Sequence, residues 1–349
     1  MVIYCRIGDG MKSPKLIIIG RIEKCNLSGP GTVVHSLLSG LDRIGISYTF
    51  INTYNISFLR LGALLLKILF VRGAIVNVHT FGYRIPHFIM IISRINKSNK
   101  YYLTVHGVNS YEYRINGMID EAARIEQVES ELLRKFPNVI CVSRFLRDFI
   151  ANKFKRRSSI YYAYNCVEAG DKEVPHKNSK HTFLYTGGFS NRKNPLGAIN
   201  FFRNICLVQN KDAKLIMCGN KIDDDLYREC KEFILSHNLK ESIVVLGEMD
   251  KKQLARYYAE ATFIIAPSVF DTFNMSVLEA MSFGCIPIVS DRCGIKDIIN
   301  DENGYIIEKI GENKNIYADI KIISRKAFDT ALQLSPESMA KNYVSIWGI

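Results

Sequence analysis

The chain has 349 residues, 48% hydrophobic and 23% charged, with a formal net charge of +12. Such a composition excludes disordered and fibrous classes, and the length suits two domains. Nine cysteines form no C-x-x-C pair and lie mostly in apolar runs such as Val139-Ile140-Cys141-Val142, which predicts reduced, buried thiols in a cytoplasmic protein, not a disulfide framework or a zinc site.

The charge is placed unevenly. Residues 1–170 carry 23 Lys/Arg against 11 Asp/Glu, whereas residues 171–349 carry 23 of each. A one-sided basic field predicts an anionic partner for the first half, whether an anionic membrane surface, a lipid diphosphate or a nucleic acid, with Lys153, Lys155, Arg156 and Arg157 as its densest cluster. Nucleic acid is not expected, because no aromatic-basic stacking motif accompanies the charge. The amino terminus lacks the features of a signal peptide. The apolar run from Ile56 to Val71 is broken by Arg60 and Lys67 and is too short to span a bilayer, so it reads as an amphipathic or core helix.

In chain order, Leu16–Ile19 predicts an opening strand, followed by a Gly-containing loop and a helix from about Thr32 to Ile44. Further strands are expected at 46–51, 74–79, 101–106 and 139–142. This alternation argues for a parallel, doubly wound sheet. Ser143 suits an N-cap for the helix after it. From about Asn165 to Thr182 the chain turns polar and reads as a linker. A second alternating unit has strands at 183–186, 214–218, 243–246, 263–266 and 286–289. Pro336 to Trp347 closes the chain with helical spacing of Met339, Tyr343 and Ile346.

Two carboxylates stand eight residues apart in Phe270-Asp271-Thr272-Phe273-Asn274-Met275-Ser276-Val277-Leu278-Glu279, the first in a loop after a buried strand and the second inside a helix. Their separation is roughly 10–12 Å at about 1.5 Å per helical residue, close to the span from a sugar ring to a ribose across a pyrophosphate. A strand that feeds a helix through a short loop aims unpaired N–H groups and a positive dipole end at one point, where an anion can sit. Asp223-Asp224-Asp225 suggests a metal site of the D-x-D kind, but acids before a helix are sufficiently explained by its dipole.

The segment from Asp271 to Glu279, with the tail Glu279-Ala280-Met281-Ser282-Phe283-Gly284-Cys285-Ile286-Pro287-Ile288, resembles the E-x7-E signature of retaining GT-B glycosyltransferases, the large family 4-like group that includes bacterial polysaccharide and lipopolysaccharide enzymes. Asp271 stands where that family has its first Glu, and Asn274 where it has Gly. The resemblance implies an α/β fold of two Rossmann-like, doubly wound parallel-sheet domains facing across a cleft: an acceptor domain at 1–170, a donor domain at 171–335, and a terminal helix at 336–349 crossing back to the first. Ser28-Gly29-Pro30-Gly31 looks like the family's Gly-rich loop, so Gly29 and Gly31 would meet donor phosphates. His106 resembles the strand-end histidine that assists the reaction beside the donor sugar, with His79 and His87 as competitors. Gly187-Gly188-Phe189-Ser190-Asn191-Arg192-Lys193 matches Gly-Arg-x4-Lys with the Arg missing at Gly188, so Lys193 and the neighbouring Arg192 would neutralise the diphosphate. Leu246-Gly247-Glu248 matches the region lining the base pocket, and Asn165-Cys166-Val167-Glu168 the domain junction.

What the resemblance implies is retaining transfer of a hexosyl unit from a nucleoside diphosphate sugar to a hydroxyl of a glycan or lipid-linked acceptor. Asp271, with Phe273, Asn274 and Met275 around it, would contact the donor sugar and phosphates, and Glu279 the ribose. No metal or other cofactor is expected. The enzyme would be cytoplasmic and peripheral at the inner membrane face, in surface polysaccharide or lipopolysaccharide synthesis. A GT-B nucleotide-sugar 2-epimerase and a non-catalytic sugar-nucleotide-binding or scaffold protein are the alternatives.

Overall fold

Short runs such as Leu-Ile-Ile-Ile, apolar on both faces, suit parallel strands covered by helices on both sides. A computed structural model describes residues 3–5, 15–23, 29–168, 181–311 and 314–349. The chain divides into two units. The first comprises 1–111, 119–168 and 334–349, and the second 112–118 and 169–333. The expected linker and the boundary at 170 fall largely on residues 169–180, outside the described residues.

The first unit holds β1 (Ile3–Cys5), β2 (Lys15–Gly20), β3 (Thr49–Asn52), β4 (Ala74–His79), β5 (Lys100–Val105), β6 (Asn138–Cys141) and β7 (Ile160–Tyr162). They form one sheet in the order β1-β3-β2-β4-β5-β6-β7. All its pairings are parallel except that of β1, which runs antiparallel to β3 on the edge. The second unit holds β8 (Thr182–Tyr185), β9 (Lys214–Cys218), β10 (Ile243–Gly247), β11 (Phe263–Ala266), β12 (Ile286–Val289) and β13 (Tyr305–Ile306). Its sheet is parallel throughout, in the order β10-β9-β8-β11-β12-β13. Phe183 and Phe263, fully buried, stack at 4.5 Å between ring centres in its core.

The last helix, Pro336–Trp347, packs in the first unit against the helix Gly29–Arg43. Ser335 caps its start and Gly348, at φ +72, its end. Its Tyr343 and Trp347 are fully buried, and Arg43 bonds both Glu337, at 3.0 Å, and Glu168, at 2.6 Å.

Two expectations are corrected here. Gly29 and Gly31 form the first turn of the helix Gly29–Arg43, not a loop, and neither has a positive φ. Pro30 explains this, since proline is pre-set for a helix's first turn; Ser28 lies outside the described residues. The basic cluster is also broken. Arg156 is buried, and its guanidinium donates to five backbone carbonyls, those of Leu133, Arg134, Phe136, Pro137 and Ser159. It closes the end of the helix Ile119–Lys135, so only Lys153, Lys155 and Arg157 of the four are exposed.

Close packing of the last helix depends on Gly40, where a Cβ would lie 2.0 Å from the Pro336 carbonyl oxygen. Gly40→Ala gains about 1 kcal/mol of helix propensity, but overpacking against backbone costs about 1–3 kcal/mol or more. The expected result is net destabilisation, read as a lower denaturant midpoint for the first unit with the second unit's transition unchanged.

Candidate active site

In the second unit, Asp271 lies in the loop between β11 and the helix Met275–Met281, 5% exposed. Lys193 donates to its Oδ2 at 2.5 Å, and the Arg192 guanidinium stands 3.7 Å from the same oxygen. Phe273 N–H reaches Oδ1 at 3.2 Å. Burial alone would raise the Asp271 carboxyl, but Lys193 and Arg192 outweigh it and hold it below the usual carboxylate value. Arg192 is further fixed by donation to the Phe270 carbonyl at 3.2 Å and by Glu112 at 3.5 Å. Asn116 accepts from the Arg192 backbone N–H at 2.9 Å. Glu112 and Asn116, which sequence reasoning missed, cluster with this unit although they lie some 75 residues upstream.

The loop that carries the cations is shaped by its neighbours. Tyr185, buried at the end of β8, donates its hydroxyl to the Gly188 carbonyl at 2.6 Å. A Cβ on Gly187 would come 2.7 Å from that hydroxyl, so no larger residue fits. Gly188 has φ +69, and a Cβ there would meet the Asn220 carbonyl oxygen at 3.0 Å. An arginine in this backbone conformation would be strained, which accounts for its absence at the position where the related motif has one. Asn194 and Asn274, at φ +54 and +74, each cap the helix that follows. A short polar side chain that tolerates left-handed backbone serves at Asn274 in place of glycine.

Glu279 is half-buried on the helix Met275–Met281, and Tyr258 donates to it at 3.5 Å. Burial pushes its carboxyl up, against the opposing pull of Lys251 and Tyr258. Tyr258 gave no signal in the sequence, because a tyrosine on an amphipathic helix reads as core. Phe273 is fully buried and Met275 half-buried. Asp223 caps the helix Asp224–Ser236 and Asp225 pairs with Arg228. Among the described residues no group of three or more His, Cys, Asp or Glu is arranged to hold a metal ion.

In the first unit, His106 follows β5 and His79 ends β4. Their nitrogens Nε2 and Nδ1 approach to 3.1 Å and the rings stack at 5.3 Å. Tyr343 also stacks on His79, at 6.5 Å between ring centres. Burial lowers His79 well below its usual value, helped by His106, and burial lowers His106 to about 3. His79 thus enters as His106's direct partner. Gly29 and Gly31 also belong to this unit, whereas the Lys193–Asp271 pair belongs to the other.

Two outcomes are expected. Lys193→Met leaves a buried carboxylate short of its nearest cation and should cost about 3–5 kcal/mol, whereas the double variant Lys193→Met/Asp271→Asn should recover much of that. Denaturation of the four corners of this cycle measures the coupling. His106 contributes stability above the unfolded value of 6.5, which is lost as pH falls toward about 3, and His79, lowered in the same direction by burial, adds to that loss. Thermal melts from pH 7 to 4 should therefore fall less steeply in His79→Phe, which keeps the ring stack.

Residues 168–334 match the family model of glycosyl transferases group 1. An uncharacterized glycosyltransferase of Methanocaldococcus jannaschii is 24% identical over 208 residues, 59% of this chain and 55% of that protein. An O-antigen chain mannosyltransferase of Salmonella typhimurium is 24% identical over 229 residues, 64% of this chain and 60% of its own length. The chain thus spans little more than half the length of these curated relatives. Among solved structures, Anabaena HepE in complex with UDP and glucose superposes with a TM-score of 0.66 at 13% identity, covering 96% of this chain and all of that one. That likeness shows the fold, two α/β domains of GT-B type. Residues 168–334 accordingly carry the similarity to glycosyl transferases group 1, and the solved structure shows the fold.

Proposed function

We propose that this chain is a retaining glycosyltransferase that moves a hexosyl unit from a nucleoside diphosphate sugar to a hydroxyl of a glycan or lipid-linked acceptor. The observation that carries this reading is the buried Lys193–Asp271 pair, with Arg192 beside it, inside the region that matches the group 1 family. An ammonium has three donors and Asp271 takes one, so Lys193 can also meet charge that builds on a departing diphosphate. Arg192 adds a second cation. Asp271 is placed to accept from donor-sugar hydroxyls, flanked by Phe273, Asn274 and Met275. Glu279 holds the ribose hydroxyls, and Gly187 lets backbone come close. His106, kept neutral, assists the transfer as a hydrogen-bond partner. Gly29 and Gly31 keep only a weaker claim on donor phosphate, through the helix start they occupy.

The O-antigen mannosyltransferase among the relatives supports a surface polysaccharide or lipopolysaccharide acceptor. Among the described residues no helix is long and apolar enough to cross a membrane. On this reading the enzyme works in the cytoplasm, held at the inner membrane face by its basic first unit. Phosphate charge is assigned to protein cations, with no metal or cofactor.

Glu279 provides the test. Because its carboxyl is held at a cost in the folded state, Glu279→Gln should stabilise the unliganded protein by roughly 0.5–2 kcal/mol. The same change should weaken binding of UDP-, GDP- or TDP-sugar by roughly 1.5–3 kcal/mol. Calorimetric titration with each donor, alongside thermal melts, reads both, and transfer should persist in EDTA. Donor affinity unchanged by Glu279→Gln overturns the assignment, and donor binding with neither transfer nor hydrolysis points to a binding protein instead.

A further inference from the structure

The helices Phe58–Phe70 and Arg84–Ile95 pack against each other in the first unit. Their inner faces are buried through residues such as Leu64, Ile68, Ile89 and Met90. Their outer faces are apolar too. On the first helix Leu59, Ala63, Leu66 and Phe70 recur at spacings of three and four, one stripe of an α-helix, with Leu59 84% and Phe70 70% exposed. On the second, Phe88, Ile91 and Ile95 repeat the pattern, with Ile95 69% exposed. Scattered exposed hydrophobics are ordinary, but two adjoining stripes form a patch that needs a cover.

Charge identifies the cover. Between Asp42 and Glu112 the sequence has eight Lys/Arg and no Asp or Glu. Arg60 and Lys67 flank the first stripe, Arg84 and Arg94 lie on the second helix, and all four are exposed. The two helices carry four cations and no acid, with Glu131 of the neighbouring helix Ile119–Lys135 near Arg94, and this apolar centre with its mainly cationic rim matches an anionic bilayer, whose acyl boundary takes the apolar side chains while its headgroups take the cations. A cavity of about 620 Å³ adjoins the same helices, lined by Leu61 from the first and by Arg84 and Ile85 from the second, with Arg21 and Tyr83. A lipid-borne head group held in such a cavity would meet the Arg84 and Arg21 guanidinium donors.

We infer that these two helices are the membrane-docking face, lying flat on an anionic lipid surface with both stripes inserted. This replaces the Lys153 cluster as the contact, since Arg156 is spent on backbone carbonyls. The docking face stands on geometry and charge, and only its service to an acceptor rests on the proposed transfer reaction.

The test uses the full chain and sedimentation with vesicles of phosphatidylcholine alone or mixed with phosphatidylglycerol. Binding is expected only to the mixed vesicles. Leu66→Gln/Phe70→Gln/Ile91→Gln/Ile95→Gln should weaken it about tenfold or more, and Arg60→Gln or Lys67→Gln by about fivefold each. Lys153→Gln/Lys155→Gln/Arg157→Gln should change it far less. Melting temperature and donor binding verify that each variant folds, and all should match the parent. Undiminished binding by the apolar variant overturns the inference. So does a dimer, seen by analytical ultracentrifugation, that those substitutions dissociate while vesicle binding persists. If vesicle binding follows the pattern but no transfer to any acceptor occurs, the catalytic reading fails and the docking face stands.

Discussion

A carboxylate that is 5% exposed stays ionised only if cations stand beside it, and the second unit's loop region is organised around meeting that demand at Asp271. Lys193 and Arg192 arrive on the loop after β8. That loop is tied to the one after β11 by Val269 N–H donating to the Arg192 carbonyl and by Asn194 donating to the Pro267 carbonyl. Asp271's own backbone pairs with the segment after β12, donating to Arg292 and accepting from Gly294. Since β8, β11 and β12 are neighbours in the sheet, one residue joins the ends of three consecutive strands. Ligands of open α/β sheets gather at such carboxyl ends.

The first unit solves the problem of buried polarity differently. Glu129 spends its carboxylate on Tyr83 and on the N–H groups of Asn109 and Ser110, and Arg156 spends its guanidinium on carbonyls. Both are consumed by the fold and have little to offer a substrate. His79 and His106 stay neutral within an aromatic stack. The buried charges of the first unit are thus bonded mainly to backbone, whereas Asp271 in the second is met by two cations.

Much of this was legible in the sequence. Runs buried on both faces located β4, β11 and β12 to the residue, because such a strand has no exposed face to blur its ends. The short edge strands β1, β7 and β13 escaped, since two or three residues carry no period. Gly29-Pro30-Gly31 misled because glycine's freedom suggested a loop where proline's fixed φ starts a helix. Arg156 misled for a different reason: a run of cations reads as surface, and only the fold shows which one turns inward. Lys193 and Asp271 were each singled out as binding residues, but their mutual contact spans 78 positions and no local pattern encodes it. Glu112 was out of reach for the same reason.

The discontinuity of the first unit has a consequence for vectorial synthesis. Its residues 334–349 leave the ribosome after all of 169–333. Until then the apolar face of the helix Gly29–Arg43 lacks the last helix that packs on it, and His79 lacks the ring of Tyr343. The second unit, apart from its 112–118 segment, is contiguous and can fold while that surface waits. Closing so long a loop costs little more entropy than closing a shorter one, but it delays the contact. The nascent first unit therefore carries an open hydrophobic groove through the synthesis of about half the protein, the interval in which a chaperone would find it.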